Sequence, residues 1–335
     1  MTVQKLSPYS DGRRWGFRTA EGKIVVPCKY DYAWSFSEGL ALVRLDGKYG
    51  YVNIRGEEIV PCKYDDAWDF SEGLARVVLD GKYGYVNIRG EEIVPCKYDD
   101  AWSFSEGLAL VELDGKRGYI NRRGEEVISC QYDELMSFER GVAKAKLNGK
   151  WGYINRSEEQ VVPCTYDEVW YLKDGLIVVR LGDKYGLYDE TGKLLVPCMY
   201  DEIYRFSEGL AKVRLGNRYG FYDSEGREVI ACRYYEDALS FTEGLAAVKF
   251  RGKWGYISVS GEQVIGFKYD DAWSFRSGLA KVRMGKKEGF VNKEGEQVIE
   301  CKYDEAESFE GDWARVKLKR KWYKIDKSGN LVEEG

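Results

Sequence analysis

The 335-residue chain contains no histidine. That absence removes the commonest general base and the commonest zinc ligand, and it excludes Ser-His-Asp and Cys-His nucleophile arrangements. Proline is scarce, with six residues. No run of 18 apolar residues occurs, so a membrane-spanning helix is not expected. Strong charge of either sign is also missing: 51 basic and 56 acidic residues leave a net −5. A mildly acidic, well-mixed surface does not favour nucleic acid or an anionic membrane as partner. The opening MTVQKLSPYS has no apolar leader core, which gives the cytoplasm as the expected location.

Aromatic residues, at 15%, and 38 glycines make the chain too apolar and too regular for disorder. The regularity is literal. KYGYVNIRGEEIVPCKYDDAW at 48–68 recurs letter for letter at 82–102. Segments 37–70 and 71–104 differ only at Leu42/Arg76, Arg44/Val78 and Asp69/Ser103. An aromatic-Gly pair marks the period at Trp15-Gly16, Tyr49-Gly50, Tyr83-Gly84, Trp151-Gly152, Tyr185-Gly186, Tyr219-Gly220 and Trp254-Gly255. Arg117-Gly118 and Glu288-Gly289 keep only the glycine, and Trp322-Tyr323 keeps only the ring. The step is 34 residues except between Gly220 and Gly255, where it is 35. Ten units fill the chain as one tandem-repeat domain, 1–335: 5–38, 39–72, 73–106, 107–140, 141–174, 175–208, 209–243, 244–277, 278–311 and 312–335.

The segments NGKWGYI and QVVPCTYDEVWYL, with FSEGLARV and DGKYGYVNIRGEEIVPCKYD, resemble the WG-repeat proteins of bacteria. The resemblance spans essentially the whole chain. It implies a β-repeat that serves as a binding or scaffold module, and it brings no catalytic residues to carry over. A cysteine stands in VPCKYD where that family usually has a second proline.

Within one unit, LARVVLD alternates at period two, GYVNI is rich in β-formers, and EEIVPC is a third apolar run. Asp80-Gly81 suits a two-residue hairpin turn, Gly182-Asp183 and Gly216-Asn217 suit the glycine-first type, and Asn87 with Gly90 suits the second turn. Each unit is therefore a three-stranded antiparallel meander, with YDDAWSF as connector and a possible short fourth strand. Pro27, Pro61, Pro95, Pro163 and Pro197 mark the third strand as edge or bulged. One such sheet cannot bury its apolar face alone, so the units must stack. The fold class is all-β: an open β-solenoid or superhelix of ten stacked meanders, with a closed, propeller-like toroid as the alternative.

Seven cysteines, Cys28, Cys62, Cys96, Cys130, Cys164, Cys198 and Cys232, follow the 34-residue step; Cys301 is the eighth, and Phe267 replaces the missing one. With no C-x-x-C pair, and with Phe267 as an allowed substitute, they read as inert thiols in apolar slots. Asp65, Asp66, Asp69 and Glu72 lack calcium-loop spacing, and the Tyr-Asp step reads as a turn in which the aspartate binds backbone N–H groups. No metal, cofactor or catalytic residue is expected. The candidate partner-binding residues are the connector tryptophans Trp34, Trp68, Trp102, Trp170 and Trp273. Four first-strand cations expected to face outward, Lys212, Arg214, Lys281 and Arg283, join them. A protein is the expected partner. A carbohydrate held on the tryptophan row is the alternative, as is service as a non-catalytic subunit of an enzyme complex.

Overall fold

A computed structural model describes residues 6–172 and 175–332. All the regular structure in them is β. Ten antiparallel sheets follow one another along the chain: I (6–30), II (32–64), III (66–98), IV (100–132), V (134–166), VI (168–200), VII (202–235), VIII (237–269), IX (271–303) and X (305–326). Residues 1–165 and 166–335 form two compact units, the boundary falling at the end of sheet V.

Sheet III shows the pattern. Strand a is Asp66–Ala67, strand b Leu74–Leu79, strand c Lys82–Asn87 and strand d Glu92–Tyr98, hydrogen-bonded in the order a-b-c-d. The connector is thus a true strand, and it pairs forward with the b strand that follows it (Ala67↔Val77). The b–c hairpin turns as its sequence requires: Asp80 and Gly81 have φ of 52° and 72°. At the c–d turn, Asn87 Oδ1 accepts from the N–H groups of Arg89 and Glu91 (both 2.9 Å) while Gly90 takes φ 79°.

Strand d is both an edge and bulged. Tyr83 pairs with Tyr98 and Tyr85 with Val94, so Gly84 lies opposite the three residues Pro95, Cys96 and Lys97. This explains the glycine of the aromatic-Gly pair. A Cβ on any of the nine would meet the carbonyl oxygen of a strand-d Val or Ile at 2.3–2.7 Å. Sheet X has only strands a to c among the described residues, and there Tyr323 takes the glycine's place. In sheet VII the extra residue enlarges the bulge: Tyr219 pairs with Tyr235 and Phe221 with Ile230, and Tyr234 is pushed to the surface.

Apolar clusters lie between consecutive sheets. Tyr85, Val94 and Tyr98 of sheet III meet Ala101, Phe104, Ala109 and Val111 of sheet IV, while Ala75 and Val77 on the other face of sheet III meet Tyr51 and Val60 of sheet II. Both faces of an inner sheet are therefore covered. Each unit is an open run of meanders in which a sheet packs on the sheets next to it in sequence, as a solenoid requires.

Candidate connector face and inter-sheet grooves

Each connector is fixed by the sheet before it. Tyr51 Oη donates to the Trp68 carbonyl and Tyr256 Oη to that of Trp273 (2.5 and 2.8 Å). The Tyr-Asp aspartate is a two-sided clamp. One oxygen of Asp99 takes the Lys82 ammonium, and the other accepts from the Asp114 N–H at 2.6 Å in the next hairpin. Asp65, Asp133, Asp201, Asp270 and Asp304 repeat this, and the lysine hydrogen bond holds all six carboxyls below the usual range. Asp65 and Glu72 of the candidate acidic cluster are thus occupied, Glu72 by Arg122 and the Gly107 N–H.

The connector tryptophans lie in strand a or just after it, and three of them set their rings against strand c. Trp34 sits against Tyr49, Trp68 stacks on Tyr83 and Trp170 on Tyr185, with centroids 5.8, 5.9 and 6.2 Å apart. Trp34, Trp68, Trp102 and Trp273 are half-buried, and Trp170 is 38% exposed.

Of the four first-strand cations, Lys212 and Lys281 do not face outward, which corrects the expectation for these two, while Arg214 and Arg283 stay partly exposed. The side of strand b that carries them packs on the following sheet. Lys212 lies 4.0 Å over the Tyr204 ring and donates to the Ala238 carbonyl at 2.9 Å. Lys281 lies 3.8 Å over Trp273 and donates to Ala306 at 2.8 Å. Burial depresses the Lys212 pKa. Arg214 and Arg283 each pair with a strand-a carboxylate, Glu202 at 2.7 Å and Asp271 at 3.1 Å; Lys146, Arg180 and Lys317 pair likewise with Glu134, Glu168 and Glu305. Five of these strand-b cations are thus paired within their own sheets. The signal for this was the stretch LALV at 40–43, apolar at four successive positions and so buried on both sides rather than one.

All eight cysteines are free thiols. Each lies in the strand-d bulge, and where a thiol bond is seen it donates to a strand-b carbonyl, as Cys232 does to Val213 at 3.5 Å. Burial raises the thiols of Cys62, Cys130 and Cys164 to about 11 and that of Cys232 to about 12. Phe267 fills the same slot against the cluster between sheets VII and VIII. The inert reading of these positions agrees with that chemistry.

Sequence reasoning did not anticipate two grooves beside the tryptophans. In the first unit, Trp102, Leu110, Leu135, Met136, Phe138 and Arg156 line about 360 Å³ between sheets IV and V. In the second, Trp273, Lys281, Glu307, Glu310, Trp313 and Arg315 line about 580 Å³ near the connectors of sheets IX and X. Trp102 and Trp273 occupy the same repeat position, as do Met136 and Glu307.

No curated protein matches the chain. Among solved structures, the extracellular domain of a hybrid two-component system of B. thetaiotaomicron aligns at 8% identity and TM-score 0.32, covering 99% of this chain and 57% of that one. A eukaryotic initiation factor aligns at 10% and 0.32, covering 98% and 95%. PorZ, a surface component of the type-IX secretion system of Porphyromonas gingivalis, aligns at 8% and 0.26, covering 92% and 52%. Likeness this slight transfers neither partner nor activity. The cytoplasmic expectation is withdrawn: the neighbours with a stated location are extracellular or at the cell surface, and at these TM-scores they do not place this chain. That expectation rested on the opening residues alone, and residues 1–5 lie outside those described. The family model for the WG containing repeat matches nine times in tandem, from 15–49 to 289–322. With both the repeat geometry and the matches running through the chain, this protein belongs to the WG containing repeat family.

Proposed function

We propose that this repeat scaffold is non-enzymatic and binds a protein partner along its connector face. The observation that carries the reading is the recurrence of partly exposed connector indoles, Trp34, Trp68 and Trp102 in the first unit and Trp170 and Trp273 in the second. Rigid aromatic anchors beside grooves with mixed polar walls are the usual hot spots of protein interfaces. Arg214 and Arg283, at 28% and 38% side-chain exposure, add a rim that sets salt dependence. Lys212 and Lys281 act indirectly, by holding connectors in place. The internal pairing of strand-b cations supports protein over nucleic acid. A saccharide partner is the second reading, favoured by the groove that combines Trp273 and Trp313 with Glu307 and Glu310.

The test compares native-lysate capture by the intact chain and by a Trp34→Ala/Trp68→Ala/Trp102→Ala variant with an unchanged circular dichroism spectrum. A captured protein should be lost, each anchor contributing about 2 kcal/mol. Undiminished capture by the folded variant would remove the connector face from consideration. Capture of glycans in its place would favour the second reading. A hydrolase and phosphatase screen tests the non-enzymatic part, and turnover abolished by one point mutant would overturn it.

A further inference from the structure

Sheets III and IV carry the same connector tryptophan, Trp68 and Trp102, yet only sheet III fills the slot beside it from its own strand b. In sheet III the Arg76 side chain leaves strand b, places its guanidinium 3.7 Å from the Trp68 ring centroid and 5.5 Å from that of Tyr83, and donates to the Ala101 carbonyl of the next connector. Lys212 and Lys281 make the same three-part contact: an aromatic ring on the connector, a position on strand b, and a carbonyl one sheet further on. The recurring feature is a cation slot built from a connector ring and a connector carbonyl.

In sheet IV, Leu110 replaces Arg76 and, on the next connector, Leu135 replaces Ala101, while Trp102 stands in the place of Trp68. The shorter side chain cannot reach the next connector, and the groove of about 360 Å³ opens there. Two arginines lie beside it and each is paired: Arg117, at the position of Tyr83, sits 5.5 Å from the Trp102 centroid and pairs with Glu112 at 3.2 Å, and Arg156 sits 5.4 Å from the Phe138 centroid and pairs with Glu106 at 2.6 Å. Neither therefore brings an uncompensated positive charge to the slot. The walls formed by Leu110 and Phe138 suit an aliphatic stem, and the indole suits a planar guanidinium better than a compact ammonium.

We infer that this groove is a specificity subsite that takes an arginine side chain of the protein partner, seated on Trp102 as Arg76 is seated on Trp68. The inference rests on the protein-partner reading and adds the chemistry of one anchor.

The full chain, 15N-labelled, is titrated with N-acetyl-arginine methylamide and, separately, with its uncharged citrulline counterpart. The Trp102 indole resonance is assigned by Trp102→Phe. A saturable shift of that resonance with the arginine compound is expected, at least tenfold tighter than with citrulline. The Trp68 resonance, whose slot is already filled, should stay still. Leu110→Arg, which places at this position the residue found at Arg76 in sheet III, should abolish the shift. Equal response to citrulline, no saturable shift at Trp102, or a shift that persists in folded Leu110→Arg would overturn the inference. The citrulline comparison uses the unaltered chain and decides the matter even if that variant fails to fold. Tryptophan-dependent capture of a partner without an arginine response would sink this inference and leave the broader reading standing.

Discussion

A single missing hydrogen-sized space fixes the most repeated residue. Gly84 sits under a bulge whose nearest atom, the Val94 carbonyl oxygen, would lie 2.5 Å from a new Cβ. Backbone cannot yield as a flexible side chain can. Gly84→Ala is expected to cost about 2–3 kcal/mol in urea denaturation. At Gly81, a Cβ would meet open space at φ 72°. There the alanine substitution should cost only about 1 kcal/mol. A reversed order of the two would refute the bulge as the cause. The thiols offer a second measurement at this scale. With pKa values near 11, Cys62, Cys130 and Cys164 hold roughly two orders of magnitude less thiolate at pH 8 than a free cysteine. Their alkylation should be slow in the native state and should follow unfolding in a denaturant series. Rapid modification at native conditions would show that the slot is more open than it stands here.

At the scale of strands and turns, the aspartate clamps tie each hairpin to the next. Their carboxyls are depressed in the folded state by the lysine hydrogen bond. Their contribution is therefore fully present above the unfolded value of about 4 and is lost as pH falls through the lower folded value. Melting temperature should stay level from neutral pH to about 5 and decline below about 4. Asp99→Asn should flatten part of that decline, and an unchanged acid limb in this variant would remove the clamp from the account. Strands b, c and d and both turns were legible in the sequence, because Asp-Gly, Gly-Asp and Asn-x-x-Gly each permit few backbone conformations. The proline of strand d likewise announced an edge or a bulge, and the structure has both. Which sheet the connector joins was not legible. Two residues, such as Asp66 and Ala67, carry too little pattern to choose a partner strand. Nor was the direction of Lys212 and Lys281, since alternation assigns a face to one side or the other without saying that a second sheet covers it. The backbone side of the aspartate clamp, though not its lysine, and the inert thiols were readable from repetition itself, because a residue copied at every step must serve the fold of every step.

For the molecule as a whole, stability is a sum over sheets and the interfaces between neighbours. Sheets II, III and IV present nearly the same surfaces to one another, so removing 71–104 should join sheet II to sheet IV through contacts already in use. The shortened chain is expected to fold, with nearly unchanged melting temperature and a denaturant m-value reduced in proportion to the lost area. Removal of 71–87, which cuts inside sheet III, should unfold the first unit instead. Equal damage from both deletions would contradict the modular picture. The near-identity of these sheets has a kinetic consequence as well. Strand d of sheet II is spelled the same as strand d of sheet III, EIVPCKY in both. A refolding chain that pairs strand c of one with strand d of the other meets no local penalty and learns of the error only when the neighbouring layers fail to close. Wrong pairings of this kind are slow to dissolve and are equally available between two molecules. The duplicated front of the chain should therefore be the source of strand-exchanged dimers when the protein is refolded at high concentration, while the divergent sheets VI to X, each with its own spelling, return to a single partner.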